Sequence, residues 1–108
     1  MNRVLAMVGM AMKAGKIVSG EFATEKAVKT GKAFLVIVSE AASENTKKMF
    51  RNMCTYYEVP MYTYGTKEEL GHSMGKEFRA SLAVTEEEFA KSIEKRLIEA
   101  ERIAEVAE

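Results

Sequence analysis

Hydrophobic positions near the start of the chain follow a helical period. Asn2 is placed to cap this first helix and Gly15 to end it, and the apolar residues between them fall near one face: Val4, Leu5, Val8 and Met12. Ile17 and Val18 then form a short extended segment. The pattern predicts a helix followed by a short strand.

A second, shorter helix is predicted over residues 19–31. Ser19 has a hydroxyl that can accept hydrogen bonds from the first backbone N–H groups, and Gly31 can adopt the left-handed conformation that ends a helix. Four of the residues in between can share one face: Phe22, Ala23, Ala27 and Thr30. Lysines recur at every third position: Lys26, Lys29 and Lys32.

The clearest strand signal is the continuous apolar run over residues 34–38, which is rich in β-branched side chains. Such a run is typical of a central strand that is covered on both faces. After it, Ser43 can cap a helix over residues 44–57, and Pro60 ends that helix and precedes a strand over residues 61–64.

The last third of the chain contains two sequences with the capping-box pattern, one beginning at Thr66 and one at Thr85. The first predicts a short helix that ends at Gly75, and a strand over residues 79–84 follows. The second predicts a long helix over about residues 86–107. Its apolar residues are spaced by steps of three and four: Phe89, Ile93, Leu97, Ala100, Ala104 and Ala107. This face either packs on its own sheet, which we favour, or pairs with another helix.

Strands that alternate with helices predict an α/β fold, a three-layer α/β/α sandwich around a four-stranded mixed sheet. Because most strands are joined through helices, we expect mostly parallel pairing. Residues 1–108 form a single domain, since no linker or repeat interrupts the pattern. The core is expected to include ten apolar residues: Leu5, Val8, Leu35, Ile37, Phe50, Met53, Tyr62, Leu70, Leu82 and Val84.

Composition indicates the cellular location of the protein and shows an uneven distribution of charge along the chain. The longest apolar segment near the N-terminus is too short to span a bilayer, and Cys54 is the single cysteine, so we expect a cytoplasmic protein without a disulfide or membrane partner. The net charge is zero, but residues 1–51 carry nine basic and four acidic residues, whereas residues 52–108 carry seven and twelve. A basic half suggests an anionic partner on one side.

No residues stand out for catalysis or metal binding. His72 is the only histidine and falls within a helix, while Cys54 falls on the apolar side of its own helix. The glutamates at helix starts favour the helix dipole, and we interpret them as capping residues. We therefore expect no enzyme activity, no metal site and no cofactor.

Three segments are better candidates for RNA contact. They are the helix start at Gly20, the loop after the central strand over residues 39–45, and the loop over residues 75–79. Ligands of open α/β sheets gather where parallel strands end, and the third segment fits this rule only if its loop folds back to the same end. Phe78 either stacks on an unpaired base or anchors its loop to the core.

Several motifs, taken together and in order, are similar to those of the kink-turn-binding ribosomal protein superfamily, whose archaeal member is the large-subunit seven-Ae protein. The similarity covers residues 3–93 and looks strongest to the small bacterial YlxQ-like branch. The motifs are those at residues 13–16, 19–20, 26–28, 31–33, 35–38, 43–48, 59–60, 65–71 and 75–76.

The resemblance implies a non-enzymatic protein that binds a kink-turn, a sharply bent RNA internal loop with sheared G·A pairs. In the family, the start of the second helix enters the groove at those pairs, and the loop before the last strand packs on an extruded nucleotide. Gly20 and Lys26 match the family's glycine and lysine. The residues expected to contact RNA are Gly20, Glu21, Phe22, Lys26, Lys29, Lys32, Glu40, Lys76, Phe78 and Arg79.

Two positions depart from the family pattern. Phe22 and Ala23 stand where well-known members have Asn and Glu, and neither side chain can hydrogen-bond to a G·A pair. Glu21 or Glu25 can substitute, or the site keeps its phosphate affinity and discriminates less between bases. The long C-terminal helix also extends past the usual domain end.

The expected partner is a structured RNA, ribosomal or another non-coding RNA, with the ribosome as one candidate assembly and a monomer favoured. The alternative is a protein–protein adaptor that uses the acidic C-terminal helix and binds little RNA specifically.

Overall fold

Helices and strands alternate along the chain in the order that the sequence predicts. The computed structural model describes residues 2–107, and the side chains of residues 104–107 lie outside that description. The elements are α1 (Arg3–Lys13), β1 (Ile17–Ser19), α2 (Glu21–Lys29), β2 (Leu35–Val38), α3 (Glu44–Tyr57), β3 (Met61–Thr63), α4 (Lys67–Ser73), β4 (Ser81–Val84) and α5 (Glu87–Ala107).

The four strands form one mixed sheet in the order β1-β4-β2-β3. Only β2 and β3 are parallel, since β4 lies between β1 and β2 and is antiparallel to both. The prediction of mostly parallel pairing is therefore wrong, although the sheet is mixed as expected. The chain enters β4 at the end of the sheet where β1 and β2 stop, so β4 has to run in the opposite direction.

Alternate residues of the strands pack into two separate cores, one on each face of the sheet. Leu35 and Ile37 of β2 join the core with α1, α4 and α5, whereas Val36 and Val38 join the core with α2 and α3. All four residues of β2 are fully buried, as expected for a strand covered on both faces. The molecule is thus a three-layer α/β/α sandwich.

The helix caps were predicted correctly at α1, α3 and α4 and incorrectly at α2 and α5, since Gly20 rather than Ser19 is the N-cap of α2. Asn2, Ser43 and Thr66 each accept a hydrogen bond from a first-turn N–H group, and Thr66 forms the full capping box. At α5, the Glu86 carboxylate accepts from the N–H groups of residues 88 and 89, at 2.7 and 3.0 Å. Thr85 instead extends the pairing of β4 with β1 by one residue, because its N–H donates to the Lys16 carbonyl at 2.8 Å.

Small corrections apply to element ends and to the core. The last strand begins at Ser81 rather than at Arg79, and Phe34 lies before β2 and is 41% exposed. Of the ten core residues expected from the sequence, seven are buried, whereas Leu5, Met53 and Tyr62 are partly buried at the margins of the two cores.

The C-terminal helix α5 packs on its own domain through its first half. Ala90, Ile93 and Leu97 are buried in the core shared with α1 and α4. Ile98 and Ile103 are exposed. The side chains of Ala104 and Ala107, which the sequence placed on the same apolar face, lie outside the described residues.

Candidate nucleic-acid interface

Three segments meet where β1, β2 and β3 end and β4 begins. The N–H of Gly20, at the start of α2, donates to the Ser81 carbonyl at 2.9 Å, and the N–H of Ser39 donates to the Ala80 carbonyl at 2.8 Å. We call the surface formed by Gly20, residues 39–43 and residues 75–80 the loop edge. The loop before β4 reaches this edge because β4 is antiparallel to its neighbours.

The start of α2 has an unusual backbone and no side-chain cap. Gly20 is the N-cap, with φ 93° and ψ 158°, a conformation that is essentially restricted to glycine. Its carbonyl accepts from the N–H of Thr24, but no side chain within residues 2–103 caps the first turn. The positive end of this helix therefore faces the loop edge with amides available to an anion.

Ser19, which was expected to cap α2, has a different role. It is the last residue of β1, and its hydroxyl accepts a hydrogen bond from Nε of Arg79 at 3.0 Å. Nη1 of Arg79 also donates to the Phe78 carbonyl at 2.7 Å. The Arg79 guanidinium thus holds the loop before β4 against the end of β1, next to the start of α2.

Gly71 is a residue that the sequence analysis missed. A Cβ at this position would lie only 2.7 Å from the Glu77 carbonyl oxygen and 2.8 Å from the Phe78 nitrogen, so the loop passes directly over α4 at this point. The N–H of Lys76 also donates to the Gly71 carbonyl at 2.8 Å. A glycine inside a helix was the available signal, since such a residue often marks a close backbone approach.

Ser39 fixes the middle segment of the loop edge, a structural role that the sequence analysis did not assign to it. Its side chain is fully buried, donates to the Gly65 carbonyl at 2.9 Å and accepts from the N–H of Ala41 at 3.0 Å. The loop after β2 is thereby tied to the end of β3. Glu40, the expected contact residue in this loop, is exposed.

The aromatic ring and the lysine of the third segment are exposed. Phe78 is 54% exposed, so it does not anchor its loop in the core, and Lys76 is exposed beside it. Both side chains are accessible on the same edge as the uncapped start of α2. Arg79 is half-buried, since its guanidinium is bound to Ser19 and to the Phe78 carbonyl.

The three lysines expected to act together lie on two sides of α2. Lys29 binds Glu25, with Nζ and Oε1 2.7 Å apart, and this hydrogen bond and its charge raise the pKa of Lys29. Lys26 and Lys32 instead border a groove between α2 and β1. Phe22 and Ala23 line the same groove, and Phe22 is 80% exposed.

The described residues offer little that fits catalysis or metal binding. No group of three or more His, Cys, Asp or Glu side chains within them is arranged to hold a metal ion. Burial raises the pKa of the Cys54 thiol to about 11, so it is protonated at neutral pH, and His72 is exposed on α4. In the part of the chain that the structure covers, no helix combines the length and apolar character needed to cross a membrane.

Known proteins with a similar sequence or fold agree with this architecture. The chain is 40% identical over 87 residues to the RNA-binding protein YlxQ of Bacillus subtilis, covering 81% of this chain and 87% of the relative. It is 37% identical to the YlxQ of Enterococcus faecium, covering 91% and 93%, and 31% identical to the large ribosomal subunit protein eL30 of Methanosphaera stadtmanae, covering 74% and 83%.

Solved structures with the same fold include a Bacillus halodurans protein of unknown function, with a TM-score of 0.86, 30% identity and coverage of 89% of this chain and 97% of that one. The 15.5 kD RNA binding protein of Giardia lamblia shares the fold, with a TM-score of 0.77 at 20% identity over 93% and 86% of the two chains. A sequence profile of the ribosomal protein L7Ae/L30e/S12e/Gadd45 family matches residues 2–94. The chain therefore belongs to the ribosomal protein L7Ae/L30e/S12e/Gadd45 family.

Proposed function

We propose that this protein is a non-enzymatic, cytoplasmic RNA-binding protein that recognises a kink-turn or a similarly bent RNA through its loop edge. The observation that carries the proposal is the convergence of three separate segments at one edge of the sheet. Relatives at 37–40% identity are named RNA-binding proteins, which supports the same conclusion. The expected partner is ribosomal or another structured non-coding RNA, bound by a monomer.

The loop edge combines three features that suit a bent RNA backbone. The uncapped start of α2 offers backbone amides and a positive dipole end to a phosphate. Lys76 and Arg79 add positive charge beside it, and the exposed ring of Phe78 can stack on a base that has left the helix. Phosphate contacts would position the RNA, and the aromatic ring would select an unpaired nucleotide.

Base discrimination at G·A pairs rests on few side chains. Phe22 and Ala23 cannot hydrogen-bond to base edges, and the Glu25 carboxylate is engaged by Lys29 on α2. Of the two glutamates on α2, Glu21, which is exposed in the first turn, is then the one left to accept a hydrogen bond from a base. We propose that Glu21 supplies this contact, while backbone amides and lysines supply most of the affinity.

The test is a titration of the full chain with a kink-turn RNA and with the same RNA after its G·A pairs are replaced by Watson–Crick pairs, at two salt concentrations. We expect tighter binding to the kink-turn and a steep loss of affinity with salt, because bound lysines displace counterions. Lys76→Ala should weaken binding, whereas Lys95→Ala, an exposed lysine on α5, should not. Equal, weak binding to both RNAs would contradict specific recognition.

A second candidate function is a protein–protein adaptor that uses α5. The supporting observation is the exposure of Ile98 (38%) and Ile103 (71%) on a helix that continues to Ala107, beyond the residues matched by the family profile. This alternative predicts a size in solution that rises with concentration and falls when Ile103 is replaced by Ser. Light scattering over a tenfold concentration range separates the two functions.

A further inference from the structure

A groove of about 340 Å³ follows the side of α2 that faces the edge strand β1. Phe22 in the first turn and Thr30 just after the last turn both line it, so the wall that α2 contributes is roughly 12 Å long at 1.5 Å per residue. The full lining is Val18, Phe22, Ala23, Lys26, Ala27, Thr30, Lys32 and Thr85. This length and volume accommodate more than one flat aromatic ring.

The lining combines apolar surface with positive charge. Val18, Ala23 and Ala27 provide apolar surface, and Phe22 stands at one end with 80% of its surface exposed. Two side chains are charged, both lysines, and no lining residue is acidic. An aromatic ring beside lysines is the combination that binds single-stranded nucleic acid, since bases stack on the ring and phosphates pair with the ammonium groups.

We propose that this groove holds an unpaired RNA strand, with a base stacked on Phe22 and phosphates paired with Lys26 and Lys32. The inference rests on the proposed function, because the strand would continue from the RNA bound at the loop edge. Phe22 is two residues from Gly20, so the groove opens at the loop edge. The strand leaves that edge along α2, away from the loop over residues 75–80.

The charges of the lining favour RNA over a second copy of the chain. Two copies packed groove to groove about a two-fold axis would bring Lys26 and Lys32 of both copies, four positive charges, into one interface without an acidic lining residue. The repulsion between these like charges disfavours that contact. An RNA strand supplies the negative charge and the flat apolar surface together.

The first experiment uses an unstructured RNA hexanucleotide with a fluorescent base analogue, 2-aminopurine, at its centre. The full chain should quench the fluorescence at saturation, and Phe22→Ala should weaken binding about tenfold, which corresponds to roughly one stacked base. The matched control is Tyr56→Ala, because Tyr56 is an equally exposed aromatic residue (79%) on α3, outside the groove. Lys32→Ala should reduce the salt dependence without abolishing the quenching.

The second experiment compares kink-turn RNAs with and without three unpaired nucleotides at either end of the duplex. One overhang should increase the affinity of the protein several-fold, and Phe22→Ala should remove this increase. If the kink-turn is preferred over its Watson–Crick form but neither overhang nor hexanucleotide binds, the groove proposal is wrong and the proposed function stands.

Other results would support the groove proposal while contradicting the proposed function, or would overturn the groove proposal. Binding of the hexanucleotide through Phe22, without discrimination between the two kink-turn RNAs, supports the groove and contradicts recognition of a bent RNA. If Phe22→Ala changes the mass of the protein in solution but not its affinity for either RNA, the groove is a protein contact and the proposal is overturned.

Discussion

The starts of α2 and α5 differ in how their first-turn N–H groups, which have no acceptor within the helix, are treated. At α5, the carboxylate of Glu86 accepts from two first-turn N–H groups and provides the negative charge that the helix dipole favours. At α2, Gly20 provides no side chain, and its own N–H is used to hold the helix start against Ser81. The first-turn amides of α5 therefore have a side-chain acceptor within the chain, whereas those of α2 have none among the described residues.

The other helices show that the uncapped start of α2 is an exception within this fold. Side chains cap α1, α3 and α4 as well, so among the five helices of residues 2–107 the start of α2 is the one without a side-chain cap. A cap contributes typically about 1 kcal/mol to stability. Its absence at α2 leaves a site where an RNA phosphate can take the place of the capping oxygen.

The largest effect is expected for Gly20→Ala, which should lower the free energy of unfolding. The backbone at Gly20 has φ 93° and ψ 158°, which an alanine adopts only with strain of about 1–3 kcal/mol. Urea unfolding should show a loss of stability in that range. Glu40→Ala, in an exposed position of the same edge, should change stability by less than about 0.5 kcal/mol and serves as the control. A loss no larger than that of the control would show that the helix start does not need glycine.

Lys26→Ala, near the start of α2, should weaken RNA binding, whereas the corresponding change near the start of α5 should not. Removing one charged contact to a phosphate should weaken binding on the order of tenfold, about 1.4 kcal/mol, and lower the salt slope by about one. Lys91→Ala is the matched change one turn into α5, where Lys91 pairs with Glu87 at 3.1 Å, and it should leave RNA affinity unchanged. If fluorescence anisotropy shows equal effects of the two substitutions on RNA affinity, the start of α2 is not the preferred RNA contact.

Glu86→Ala should cost α5 its cap. We expect a loss of about 1 kcal/mol in the free energy of unfolding, because two first-turn N–H groups lose their acceptor. Glu88→Ala changes an exposed neighbour that does not cap the helix, so its effect on urea unfolding should be much smaller. RNA affinity should be the same for both variants. An unchanged stability for Glu86→Ala would indicate that tertiary packing alone holds this helix start.

The smallest effect is expected for Lys29→Ala. Lys29 is paired with Glu25 on the surface of α2, and solvent screens such exposed i,i+4 pairs, so this pair contributes little to stability. Because its charge is already matched, its loss should reduce RNA affinity less than Lys26→Ala does. The same anisotropy titration checks this order, and a reversed order would place the RNA on the side of α2 that carries Lys29 rather than on the side that carries Lys26.

Much of the fold was predictable because its signals are local. The apolar run over residues 35–38, the caps Asn2, Ser43 and Thr66, and the helix-ending Gly31 each act within a few residues of sequence. The capping residue of α5 was placed one residue early, since threonine is a preferred N-cap residue and glutamate is not. Thr85 is instead held next to β1 by the hydrogen bond from its N–H to the Lys16 carbonyl, a contact with a distant segment, and the helix is capped by the next residue.

For the candidate site, the sequence and the family motifs identified the segments but not their supports. Arg79 was expected to contact RNA, yet its bond to Ser19 depends on two residues sixty positions apart. Ser39 holds the loop edge through a bond to Gly65, 26 positions away, whereas Gly71 meets the backbone of Glu77 and Phe78 just beyond its own helix. Sequence patterns report burial and local geometry, and they carry no direct information on which distant backbone a side chain will meet.

By itself, the sequence determined the helices and strands of this protein, its two-sided apolar strand and the residues with charge or aromatic surface to offer a partner. Tertiary structure alone decided that β4 inserts antiparallel between β1 and β2. That insertion brings the loop over residues 75–80 to the uncapped start of α2. The reason is physical: strand pairing depends on hydrogen bonds between segments far apart in the chain, whereas helix and strand signals depend on neighbours.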